Sequence, residues 1–281
     1  MLFDENVERS LNPRLSTPNY NDLLKRSLEK AKAAKSNLHG IFDLKYGNSF
    51  LQSLDVFFNI NENYVAPIHI FIHGGYWRGL DKAYHNHMAI PFTKNNICFF
   101  NVNYDLCPKV KLSDIKNQII SAILWIYKNA KSFHADNQNI VISGHSAGAH
   151  LASLMLGVEW DKYGIDKSVF KGIGLISGIF NTEMVLNLKV NQEIGLTHQE
   201  ALLNNSFKKE PKIVIPTIIS YGADEPCLWI QQSQEFACHL NKYGFNCQII
   251  VCKNDNHFTL IDTLANLKRT LVKKMIMLSY K

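Results

Sequence analysis

The chain has 281 residues, 46% of them hydrophobic and 19% charged, a composition that excludes disordered and fibrous classes and suffices for a sizeable core. Its formal charge of +6 is carried by scattered lysines, with pairs no longer than Lys208-Lys209 and Lys273-Lys274, so no basic tract for nucleic acid is present. The same charge mildly favours an anionic small-molecule substrate.

Six cysteines show no CxxC pair and no histidine at zinc-finger spacing, so no metal site or redox motif is expected, and most should be buried as small hydrophobes. Asp4, Glu5 and Glu8 stand where a secretory leader needs a basic start and an apolar run. No window reaches the ~20 apolar residues of a membrane helix. A reduced, cytoplasmic setting without a membrane partner is therefore expected, and a homodimer is left open.

Residues 1–38 read as a polar arm with a helical stretch from Asp22 to Lys35, its role not legible. Leu51, Leu54, Val56 and Phe58 suggest an edge strand. Apolar runs then follow at Pro67 to Ile72, Ile97 to Val102, Ile140 to Ser143, Ile173 to Ser177, Ile213 to Tyr221 and Gln248 to Cys252. Ile115, Ile119, Ala122, Ile123 and Ile126 form one helical stripe, with Ser113 expected as its cap. Leu260, Leu264, Leu267 and Leu271 repeat the spacing near the end of the chain. Strands alternating with helices predict a single α/β domain over 1–281, with a mostly parallel central sheet and helices on both faces. Sites in such sheets gather at the strands' carboxyl ends. The irregular stretch from about 181 to 211 is expected to be a small cap insertion.

Gly144-His145-Ser146-Ala147-Gly148 follows one predicted strand and precedes a helix at Ala147 to Leu156, the context of a nucleophile elbow. A sharp turn there holds Ser146 in a strained backbone, and side chains at 144 or 148 would collide with neighbouring backbone. His73-Gly74-Gly75, directly after Ile72, offers amides of Gly74 and Gly75 that can join that of Ala147 in an oxyanion hole. His73 itself is read as a buried residue bracing the loop, and His150 as a packed residue. The acid and base should follow the serine in that order. Asp224 lies just past one strand and His257 just past the next, so they are expected to complete a catalytic triad with Ser146, with Glu225 as the rival acid and Asp255 and Asp262 ranked lower. The triad needs no metal or organic cofactor.

His73-Gly74-Gly75-Tyr76-Trp77, Asn103-Tyr104-Asp105-Leu106-Cys107-Pro108-Lys109, the elbow extended through Ala149-His150-Leu151-Ala152, and Ser177-Gly178-Ile179-Phe180 together resemble the kynurenine formamidase (arylformamidase) family of α/β hydrolases, related to hormone-sensitive-lipase-like esterases. The likeness runs over most of residues 65–265. It implies the α/β-hydrolase fold, the triad Ser146, Asp224 and His257, an oxyanion hole at Gly74, Gly75 and Ala147, and Tyr76 and Trp77 bordering the substrate. A loop pinned into the core by the two large rings is an equal alternative for Tyr76 and Trp77. Where the family tends to have Asp-Ser-Pro, this chain has Asp224-Glu225-Pro226. The implied reaction, a step of tryptophan catabolism, is hydrolysis of N-formylkynurenine to kynurenine and formate through a formyl-serine. The alternatives are a carboxylesterase acting on small acyl esters and, behind it, a noncatalytic binding protein on the same fold.

Overall fold

The structure, a computed structural model, describes residues 5–60 and 64–280; residues 1–4 of the expected arm lie outside the described residues. Its strands are β1 (Gly40–Lys45), β2 (Ser53–Phe57), β3 (Ala66–Ile72), β4 (Cys98–Val102), β5 (Ala135–His145), β6 (Phe170–Ile176), β7 (Thr217–Gly222) and β8 (Cys247–Cys252). They form one sheet in the order β1-β2-β4-β3-β5-β6-β7-β8. β2 runs antiparallel to both β1 and β4, and all later neighbours are parallel. This is the α/β-hydrolase fold.

The central strands are apolar on both sides because helices cover both sides. Along β3, Ile68, Ile70 and Ile72 join one core with the stripe Ile115, Ile119 and Ile123 of the helix Leu112–Asn129 and with Leu151 of the helix Ala147–Met155. Phe71 points the other way, into a second core with Val272 and Met275 of the helix Thr270–Leu278. The alternation follows from the two-residue repeat of a strand.

Several expectations shift. β1 was not foreseen: it is a short edge strand with a register irregularity between Ile41 and Leu44, and it holds Asp43 at φ 58°. β7 starts at Thr217 rather than Ile213, since Pro216 has no amide to give a ladder. The leucines from 260 to 271 fall on two helices, Thr259–Thr263 and Thr270–Leu278, instead of one. Ser113 does not cap its helix; the Asp114 carboxylate accepts the Lys111 amide at 2.9 Å, while the Ser113 amide donates to Glu200. Only three of the six cysteines are buried, Cys98, Cys107 and Cys252. Among the described residues no helix is long and apolar enough to cross a membrane.

The arm is part of the folded body. Its short helices Glu5–Leu11 and Pro13–Ser16 precede the helix Tyr20–Asn37, and Leu11 is fully buried in the first core. Ser27 donates to the Tyr84 carbonyl at 2.9 Å and Lys30 pairs with Asp262 at 2.8 Å.

Candidate active site

Ser146 stands between the end of β5 and the helix Ala147–Met155, with φ 58° and ψ −123°. That conformation is costly for a residue with a Cβ and persists only where the surroundings enforce it. The enforcement is visible in the glycines. A Cβ on Gly144 would meet the Gly148 carbonyl oxygen at 2.2 Å, and one on Gly148 would lie 2.0 Å from that of Ile72. The turn is thus clamped against the end of β3. A Cβ on Gly74 would sit 2.9 Å from the Cβ of Ser146, so the loop after β3 presses on the serine. Ala147 opens the helix, where its amide has no intrahelical acceptor and can meet an oxyanion. Gly75 lines the same cavity as Ser146 and His257.

His257 follows β8, and its Nδ1 lies 3.2 Å from Oε2 of Glu225. The acid beside the histidine is therefore Glu225, which corrects the expectation of Asp224. After β7 the chain turns through Gly222 to Glu225, whose amide reaches back to the Gly222 carbonyl. Asp224 occupies the outer corner of that turn and is exposed, whereas Glu225 returns inward and is buried. The longer side chain spans the extra distance. Its Oε1 accepts the Gly222 amide at 2.7 Å and the Ser177 hydroxyl. Asp224 contributes its backbone: its amide donates to the Asp255 carbonyl at 3.0 Å, tying the acid turn to the histidine turn. The Asp255 carboxylate in turn accepts from Thr263 and Arg269.

Two supports were missed by sequence reasoning. Ser177 holds the acid, and Trp229 donates from its indole to the Ser177 carbonyl at 2.6 Å while its ring meets that of His257 edge-on, 4.7 Å between centroids. The Ser177-Gly178-Ile179-Phe180 run was the available signal for the first; a lone tryptophan in a helix offered none for the second.

His73 is buried and bonded through Nδ1 to the Gly74 carbonyl and through Nε2 to Asn103, each at 2.8 Å, and it stacks on Tyr104. It braces the loop. His150 receives the Trp77 indole at 3.2 Å and bonds the Asn204 carbonyl at 2.7 Å; burial pushes its pKa down to about 4, so the ring is neutral. Trp77 is fully buried and does not line the cavity, which corrects its placement beside substrate: it is a pin. Tyr76 does line the cavity, but its hydroxyl donates to the Leu11 carbonyl at 2.5 Å and so holds the arm. His145 packs beside His257, with 4.6 Å between ring centroids, and burial followed by the repulsion of His257 holds its pKa well below the usual histidine value.

Ser146 and His257 open into a cavity of about 440 Å³. The arm supplies one wall through Glu8, Asn12, Arg14 and Tyr20, and the stretch between β6 and β7 supplies another through Lys189, Val190 and Glu193. Residues of the irregular stretch after β6 thus border the site, and the arm, for which no role was legible, borders it too.

The BD-FAE family model matches residues 54–215, a span that holds Ser146 and the loop after β3 but neither Glu225 nor His257. Kynurenine formamidase of Salmo salar is 26% identical over 262 residues, covering 90% of this chain and 86% of that protein. The Danio rerio kynurenine formamidase is 24% identical, covering 90% and 85%. Among solved structures, one from Silicibacter sp. TM1040 superposes with a TM-score of 0.85 at 20% identity over 98% of this chain and 99% of that one. Esterase B from Lactobacillus rhamnosis gives 0.71 at 16% identity over 94% and 96%.

Proposed function

We propose a function for this chain, which belongs to the BD-FAE family: it is a serine hydrolase that cleaves aryl formamides, N-formylkynurenine first among them, to an aryl amine and formate. The observation that carries the hydrolase reading is that Ser146, in a strained turn, shares a cavity with His257, whose far nitrogen is held by the buried Glu225. The choice of aryl formamide is supported by the likeness to kynurenine formamidases over nine-tenths of the chain and by the aromatic rings of Tyr20, Tyr76 and Phe258 around the cavity.

In this reading His257 takes the Ser146 proton as Oγ attacks the formyl carbon. The amides of Ala147 and Gly75, with Gly74 shaping the approach, receive the oxyanion. His257 then returns the proton to the departing nitrogen, whose lone pair the aryl ring delocalises, making it a better leaving group than an alkyl amine. Water activated by His257 releases formate from the formyl-serine. Glu225 keeps the imidazole in the tautomer that presents a free Nε2 to the serine.

The test is kcat/KM for N-formylkynurenine against a short 4-nitrophenyl ester. Turnover of the formamide comparable to or above that of the ester supports the proposal; a large ester preference with negligible formamidase turnover selects the carboxylesterase. Labelling by a fluorophosphonate, lost in Ser146→Ala, separates either enzyme from a noncatalytic binding protein.

A further inference from the structure

Two arginines line the reaction cavity, and neither has a task in the acyl chemistry. Arg78 comes from the turn after β3, directly behind the Tyr76-Trp77 pair, and Arg14 from the arm; both line the cavity with Ser146. The Arg78 side chain is only 17% exposed, and its Nη1 meets Oε2 of Glu193 at 2.8 Å. Its Nε is buried and has no acceptor among the described residues. Arg14 lies with its guanidinium carbon 5.3 Å from the centroid of the Tyr20 ring. Burial, and then the repulsion of Arg14, lower the Arg78 pKa.

The acidic residues of the same walls do not cancel this arrangement. Glu8 is committed, accepting from Asn12 Nδ2 at 3.1 Å and from the Lys189 amide at 2.9 Å. Glu193 is 60% exposed, so its carboxylate is well hydrated and engages one edge of Arg78 only. Two like charges turned toward one space, with a buried donor left unmet, form an unfavourable arrangement that an anion would relieve. Arginine's planar fork suits a carboxylate in particular, because two parallel N–H groups match its two oxygens.

We infer that Arg78 and Arg14 form a carboxylate-recognition subsite, so that the preferred substrate carries a carboxylate at a distance from the scissile bond. This deepens the proposed function and rests on its reading of Ser146 as nucleophile, though not on the formamide being the bond cleaved. The carboxylate could belong to the leaving amine or to the acyl group.

The experiment compares kcat/KM within two pairs, each differing by one carboxylate. N-formylkynurenine against its carboxamide places the charge on the leaving side; mono-4-nitrophenyl glutarate against 4-nitrophenyl butyrate places it on the acyl side. In the wild type at low salt the carboxylate-bearing member should be favoured in at least one pair, and the preference should shrink as salt is added. In Arg78→Met the ratio of the carboxylate-bearing member to its partner should fall at least about 10-fold, mainly through KM, and Arg78→Lys should restore part of it. A wild-type ratio at or below one in both pairs, or a ratio that Arg78→Met leaves within 2-fold, overturns the subsite. Fluorophosphonate labelling counts folded sites. Should Arg78→Met fail to label, the wild-type salt series and Arg14→Gln decide by the same ratios. Failure of the formamide reading alone is distinct: neither formamide is turned over while the ester pair still reports the ratio.

Discussion

Replacing Glu225 by glutamine separates the two candidate acids by what each side chain touches. The carboxylate receives three donors: the Gly222 amide and the Ser177 hydroxyl on Oε1, and Nδ1 of His257 on Oε2. A glutamine has one accepting oxygen. If that oxygen keeps Gly222 and Ser177, the amide NH₂ faces His257 and forces Nδ1 to become an acceptor, so the proton moves to Nε2 and the base facing Ser146 is lost. If the amide flips, its NH₂ opposes the buried Gly222 amide, at a cost of about 1–3 kcal/mol in stability. In the first orientation, which leaves the buried Gly222 and Ser177 donors satisfied and is therefore favoured, kcat should fall by about 10³- to 10⁴-fold, equivalent to about 4–5.5 kcal/mol of barrier. Asp224→Asn changes an exposed side chain and should stay within about 2-fold of wild type. The assay is steady-state hydrolysis of a 4-nitrophenyl ester together with the rate of fluorophosphonate labelling, with circular dichroism confirming the fold. An Asp224→Asn variant that collapses while Glu225→Gln keeps most of its activity would refute the assignment.

Three further outcomes are expected. Gly148→Ala puts a methyl 2.0 Å from the Ile72 carbonyl oxygen and 2.5 Å from that of His73; backbone cannot yield as a side chain does, so a loss of about 3 kcal/mol or more is expected by urea denaturation, and an unchanged midpoint would contradict the clamp. Leu11→Ala empties a fully buried position in the arm. It should cost about 2–5 kcal/mol of docking, seen as faster proteolysis near the chain start and a raised KM; unaltered proteolysis and KM would mean the arm does not shape the cavity. Burial holds His150 and His87 near pKa about 4 and His69 near about 3, all below the histidine value of 6.5. Between 6.5 and about 4 the unfolded chain therefore binds protons that the folded chain refuses. Stability should be insensitive to these groups above pH 6.5 and fall as pH drops below it, each histidine adding a slope of up to about 1.4 kcal/mol per pH unit. Denaturation series at pH 7, 6 and 5 should show a shallower decline in His150→Gln; the same slope in both proteins would count against this account.

The amino-acid sequence by itself determined the sheet's central strands and the strained turn at Ser146, because both are written in local terms. Ile68, Ile70 and Ile72 must be covered on both sides of their strand whatever surrounds them, and Gly144 and Gly148 bracket Ser146 because a turn that tight excludes side chains. Placement after β8 likewise pointed, among eleven histidines, to the one that shares the cavity of Ser146 and pairs with Glu225.

What only the tertiary structure decided depends on direction and reach across the fold. Asp224 and Glu225 are adjacent and chemically alike, and strand order does not say which faces inward; the tie between the Asp224 amide and the Asp255 carbonyl turns one outward and the other beneath His257. Trp77 reads equally as a substrate-bordering ring or a pin of the loop until His150, 73 residues away, is seen to accept its indole. The arm carries no legible motif, yet the Tyr76 hydroxyl and the burial of Leu11 bring Arg14 to the cavity. Such contacts join residues far apart in the chain, and no local propensity or spacing encodes them; they exist only once the sheet has set the distances.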